Sequence, residues 1–216
     1  MSDGSGPFDR RALRFYPLAS RVNKVEIERD CISPDAAIPA LDDAAARVIG
    51  EVAERVLAAR ASGASRMLTF GAHTIKNGLA PVLAALIERG WISHLATNGA
   101  GIIHDWEFAF AGASSEDVRA NVAEGKFGAW EETGRWINLA IAVGAYSGLG
   151  YGASVGRMVS EETLRLPSRH ALRVAIADNA QQNPAQSAAA ADLLGVMQSM
   201  DLAGGDVPLP HPFKRF

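Results

Sequence analysis

The stretch RMLTFGAHTIKNGLAPVLAALIERGWISHLATNGAGIIHDWE, residues 66–107, decides the reading of this 216-residue chain. Its first part, RMLTFG, is a short apolar run that stops at Gly71. IKNGLAPVLAALIERG then has helical spacing; Pro81 stands early, where a missing N–H costs least, and Gly90 closes it. WISHLATNG is a second apolar run, again stopped by glycine. Too few residues separate the two runs for anything but one helix. The expected unit is therefore two parallel strands, at about 66–71 and 92–97, joined by a right-handed crossover. Both strands should deliver a glycine turn to the same edge of the sheet.

Working outward, residues 1–39 read as an irregular N-terminal segment, with 1–9 unstructured and NKVEIER as a short alternating strand. Residues 40–216 read as one α/β domain. PALDDAAARVIGEVAERVLAARASGA is a strong helix near Asp42 or Asp43, with Val48, Val52, Val56 and Leu57 at helical spacing and Gly63 at its end. After Gly101 helices dominate: IIHDWEFAFAG, then SSEDVRANVAEG with a serine cap, then two glycine-interrupted helices, and finally one starting near Asn183 and Pro184. HALRVAIAD fits strand or helix equally. Two or three strands are few for a parallel sheet, whose faces both need cover. PLPHPFKRF ends without a terminal element, so either another chain completes the sheet or the chain is the N-terminal part of a longer protein.

Composition excludes several classes. A net charge of −3 offers no basic stripe for nucleic acid, and no apolar run reaches membrane-spanning length. One cysteine, Cys31, allows neither an intramolecular disulfide nor a cysteine metal cluster, and a reducing, cytoplasmic setting is expected.

Chemistry-bearing residues gather at the two glycine turns. FGAHTIKNG places Gly71, His73, Thr74 and Lys76 at the first; TNGAGIIHD places Thr97, Asn98, Gly99, Ala100 and Gly101 at the second. Ligands of open α/β sheets bind at this edge, where helix N-termini present free N–H groups. The second turn has G-x-G, with His104 in place of the third glycine of a dinucleotide fingerprint. Glycines here equally serve φ > 0 or close packing. His104 and Glu107 share a helical face at i and i+3, fit for an acid–base pair; Asp105 and Glu107 also suit the positive end of a helix. Two such ligands make no metal site, and none is expected. EETG (131–134) reads as a solvated face, and Trp91, Trp106, Trp130 and Trp136 as core or interface.

From Arg66 to Gly134, about a third of the chain, the sequence resembles the deoxyhypusine synthase family, and GKFGAWEETG resembles its bacterial branch. TNGAGIIHD stands where that family has a Thr-Thr-Ala-Gly-Gly-Val-Glu-Glu-Asp-like turn. The resemblance implies a Rossmann-like doubly wound parallel sheet in a homotetramer, with NAD and a polyamine between subunits. It implies oxidation of spermidine by NAD and transfer of the aminobutyl group, through an enzyme lysine, to a protein lysine or to putrescine. Asn98, Gly99 and Ala100 fall where the family touches NAD, and His73, Thr74 and Lys76 fall in its first cofactor turn. Asp105 matches a family aspartate, while His104 replaces a glutamate near the polyamine. The family's Trp-Gly-Lys context for the catalytic lysine is missing, and Lys214 lacks its neighbours.

The expected function is thus an NAD-dependent transferase on a polyamine or related amine, with His104, Asp105 and Glu107 as catalytic candidates. The alternatives are a non-catalytic nucleotide-binding, oligomerising module of the same fold, and an oxidoreductase or lyase on another small amine using His104 as base.

Overall fold

The computed structural model describes residues 9, 12–210, 212 and 213. The expectations for residues 1–8 and for Lys214 lie outside the described residues. A 3-10 turn at Leu18–Ser20 precedes β1 (Asn23–Glu26) and the single helical turn α1 (Ile27–Asp30). α2 spans Asp43–Ala61 and is capped by Asp42, whose carboxylate accepts from the Ala45 N–H at 2.7 Å. β2 (Met67–Phe70), α3 (Ala72–Lys76), α4 (Ala80–Glu88), β3 (His94–Thr97) and α5 (Gly99–Ala111) follow.

β2 and β3 pair in parallel, from Met67 opposite His94 to Phe70 opposite Thr97. The two glycine turns therefore lie side by side, as the spacing requires. The expected single helix between the strands is two. Gly78, at φ +83°, interrupts it, and the Asp30 carbonyl fills the space a Cβ would need there. The Ile32 N–H donates to the Gly78 carbonyl at 2.9 Å. The break thus docks the N-terminal segment onto the parallel unit.

Gly112, in the left-handed region at φ 69°, ends α5. The next residues correct the sequence reading. SSEDV does not open with a serine cap: Ser114 and Ser115 belong to β4 (Ala113–Glu116), which pairs antiparallel with β1, and Asp117 caps α6 (Val118–Ala123). α7 (Glu131–Tyr146) and α8 (Tyr151–Glu161) are the two glycine-bearing helices. β5 (Thr163–Leu166) follows as a strand. HALRVAIAD lies within α9 (Arg169–Asn179), and α10 (Pro184–Ser199) leads to β6 (Gly205–Pro208), antiparallel to β5.

The architecture is mixed α/β and rich in helix. Among the described residues the strands form three separate pairs, β1–β4, β2–β3 and β5–β6. Among these residues the parallel pair is not extended into a doubly wound sheet, because every other strand is bonded to a partner elsewhere. None of the described helices is long and apolar enough to cross a membrane.

The core has two parts. The larger joins α5, α7, α8, α9, α10 and β5 through residues such as Trp106, Leu139, Met158, Leu172, Leu193 and Met197, each at most 1% exposed. The smaller is Ile27, Ile75, Leu83 and Phe108, beneath β2. α5 serves both: Trp106 and Phe110 stack at 4.6 Å within the first, and Phe108 enters the second. Trp106, Trp130 and Trp136 are buried core, and Trp91 lies under the Arg60 guanidinium at 4.3 Å. α2 stands apart, with no buried residue, and Val48, Ile49, Val52 and Leu57 are each more than half exposed.

Candidate functional site

The site is built on the start of α5. Asn98 is its N-cap, and its side-chain oxygen accepts from the Gly101 N–H at 3.0 Å. The N–H groups of Gly99 and Ala100 then stand at the helix end without a turn before them. Thr97, Asn98 and Ala100 are exposed beside Gly71 and His73 of the neighbouring turn, with Thr74 and Lys76 half-buried. Two of the glycines have packing reasons. A Cβ on Gly101 would run into the Thr97 hydroxyl, and one on Gly99 would sit 3.2 Å from the Tyr151 ring. No cap side chain serves α3, which is five residues long.

One turn into α5, Glu107 and His104 meet a buried polar network. Arg21 makes a bidentate pair with Glu107, Nη1 to Oε1 at 2.8 Å and Nη2 to Oε2 at 2.7 Å. The Ser114 hydroxyl donates to Oε2 at 2.6 Å, and the Thr133 hydroxyl donates to Oε1 at 3.0 Å. Glu107 is 1% exposed, Arg21 8% and Ser114 0%. Four donors thus occupy the carboxylate, which is the satisfaction a buried charge requires. Arg21 is further fixed by Asn23 at 2.8 Å and by the Trp130 ring at 5.4 Å. His104 Nδ1 lies 2.7 Å from the Ser114 oxygen and 3.9 Å from Glu107 Oε2. Burial lowers the His104 pKa; Glu107 opposes that shift, while Lys76, Arg21 and His73 add to it. The two turns are therefore close enough to interact electrostatically.

Asp105 faces elsewhere. It and Ile102 sit where two concavities meet, of about 240 and about 460 Å3. The first runs under α4 and β3, lined by Phe70, Leu83, Leu95, Thr97 and Gly101 among others; the second runs along α8, past Gly152, Val155 and Val159. Asp105 is exposed at the mouth of both concavities, and the hydration lost to their walls raises its carboxylate pKa. It has no ion-pair or hydrogen-bond partner among the described residues.

The structure therefore joins His104 to Glu107, and Asp105 to Thr97 and Gly101, on two faces of one helix. Arg21, Ser114 and Thr133 were not singled out from the sequence: Arg21 lies 86 residues from Glu107, and no local pattern marks that distance. The EETG stretch is not a simply solvated face, since Glu132 accepts from the Leu18 N–H at 2.6 Å and Thr133 reaches Glu107. No group of three metal-ligating side chains occurs among the described residues. Compared with models of protein families, with curated proteins and with solved structures, the chain matches none.

Proposed function

We propose that the chain is a deoxyhypusine synthase-like, NAD-dependent transferase that takes a small aliphatic amine in the groove around Asp105. The observation that carries this reading is the lone, unpartnered carboxylate at the junction of two mostly apolar concavities. An ammonium group flanked by methylene chains has the complementary chemistry, since its charge meets Asp105 while its chains lie on Ile102, Leu83 and Val155. NAD, when bound, supplies a hydride acceptor. Its place is the edge formed by Gly71, His73, Thr74, Lys76, Thr97, Asn98, Gly99, Ala100 and Gly101, where two turns adjoin and the first N–H groups of α5 suit a phosphate or ribose oxygen. The single cysteine fits a cytoplasmic setting. A Rossmann-like sheet would be completed from outside the described residues, onto the open edges of β2 and β3.

Calorimetric titration of NAD and of spermidine or putrescine tests the reading. Wild type should bind both. Asp105→Asn should weaken the amine about ten- to a hundred-fold, the worth of one charge-assisted hydrogen bond, and leave NAD unchanged. Gly99→Val should lose NAD, and far-UV circular dichroism checks that the fold survives the contact of the new side chain with the Tyr151 ring. Absence of NAD and amine binding by the intact protein defeats the proposal.

One feature favours the second reading, an oligomerising module of the same fold. Ala45, Ile49, Val52, Val56 and Ala59 recur along α2 at three- and four-residue spacing, a seam suited to a second copy of the same helix.

A further inference from the structure

We propose that Ser114, Glu107 and Arg21 are positioning residues that hold His104 in its Nδ1–H form, so that Nε2 is left to accept a proton on the His104 face of α5. This rests on the amine reading above only for the class of ligand, since His104 does not line the Asp105 groove. The inference follows from hydrogen counting along the network. Arg21 donates to both Glu107 oxygens, Nη1 to Oε1 and Nη2 to Oε2, so each oxygen is an acceptor. The Ser114 hydroxyl has one hydrogen, and the 2.6 Å contact to Glu107 Oε2 takes it. At the 2.7 Å contact with His104, the Ser114 oxygen can only accept, so Nδ1 must carry the hydrogen. A neutral imidazole with Nδ1–H has a bare Nε2. Ser114 is fully buried, whereas the His104 side chain keeps 20% exposure, so Nε2 is the nitrogen left to meet a ligand.

Such a Nε2 takes a proton from an ammonium or hydroxyl group. The ligand's N–H or O–H bond breaks, its electron pair stays on the ligand, and an Nε2–H bond forms. The resulting imidazolium faces Glu107 favourably from α5, against Lys76 and His73 of α3 and against Arg21. Free neutral imidazole favours the opposite tautomer in water. Neither a simple packing role for His104 nor a solvated one predicts Nδ1–H.

The test is long-range proton–nitrogen NMR on ligand-free protein labelled at histidine, recorded above neutral pH. His104 is assigned by its disappearance in His104→Gln. The expected result is a dominant Nδ1–H tautomer in wild type and a shift toward Nε2–H in Ser114→Ala. Near-UV circular dichroism checks that this variant keeps its fold. A dominant Nε2–H tautomer in wild type overturns the inference, and so does an unchanged tautomer in folded Ser114→Ala. Should Ser114→Ala fail to fold, the wild-type tautomer decides alone. Calorimetric titration of spermidine beside these spectra separates the two proposals. Nδ1–H in a protein that does not bind spermidine upholds the positioning network and counts against the amine reading. Spermidine binding together with Nε2–H does the reverse.

Discussion

Glu107 uses its acceptor positions entirely inside the protein, on Arg21, Ser114 and Thr133. Glu107→Ala should therefore cost about 3–5 kcal/mol, because it strands a buried guanidinium, and urea unfolding measures this. His104 and Asp105 are neighbours with opposite pH signatures. The folded His104 pKa is below its ordinary 6.5, so on acidification the unfolded chain binds the proton first. Its contribution is present above pH 6.5 and is lost as pH falls through the folded value. His104→Gln should flatten the stability profile in that acid window. Asp105 is raised above its ordinary 3.8, so the folded state holds the proton longer, and stability drops as pH rises from 3.8 through the folded value. Asp105→Asn should accordingly raise the neutral-pH melting temperature while removing the amine's partner. His104, Asp105 and Glu107 were legible in the sequence as a polar helix start. The shared face of His104 and Glu107 was legible from their i, i+3 spacing; that this face closes on a buried network was not, because Arg21 and Ser114 reach α5 only through the β1–β4 pairing.

The β2–α3–α4–β3 unit was legible because glycine marks its turns and proline one helix start. β1 was legible from the alternation of NKVEIER, whereas β5 and β6 are four-residue runs with no glycine turn after them, and β4 is written in serines that also suit a helix cap. Ser115 adds an unforeseen left-handed residue, at φ 70°, inside that strand. The second turn offers a test of glycine's role at the level of the element. Gly101→Ala should destabilise by about 1–3 kcal/mol through its collision with Thr97, and Thr97→Ala should recover part of the loss. A double-mutant cycle in urea measures that coupling. Additive effects would mean that strand and helix relax independently at this junction.

At the scale of the molecule, α2 and the open edges of β2 and β3 leave apolar surface that the described residues do not cover. Light scattering at tens of micromolar should return an oligomer, and Ile49→Glu with Val52→Glu should return a monomer with unchanged far-UV circular dichroism. A wild-type monomer would remove the reason for the exposed seam. The chain's length and composition allowed a sizeable core, but not its division. That division predicts two cooperative units of unequal resistance. Among the described residues, four buried side chains form the core beneath β2, against eighteen in the helical body. Native-state hydrogen exchange should find the amides of β2 and β3 opening by a partial unfolding that spares α7 and α10. A ligand seated at the glycine turns would bind only the closed form of that smaller unit. Its affinity would then be read as slowed deuterium uptake along the whole of β2 and β3, including amides that it does not touch.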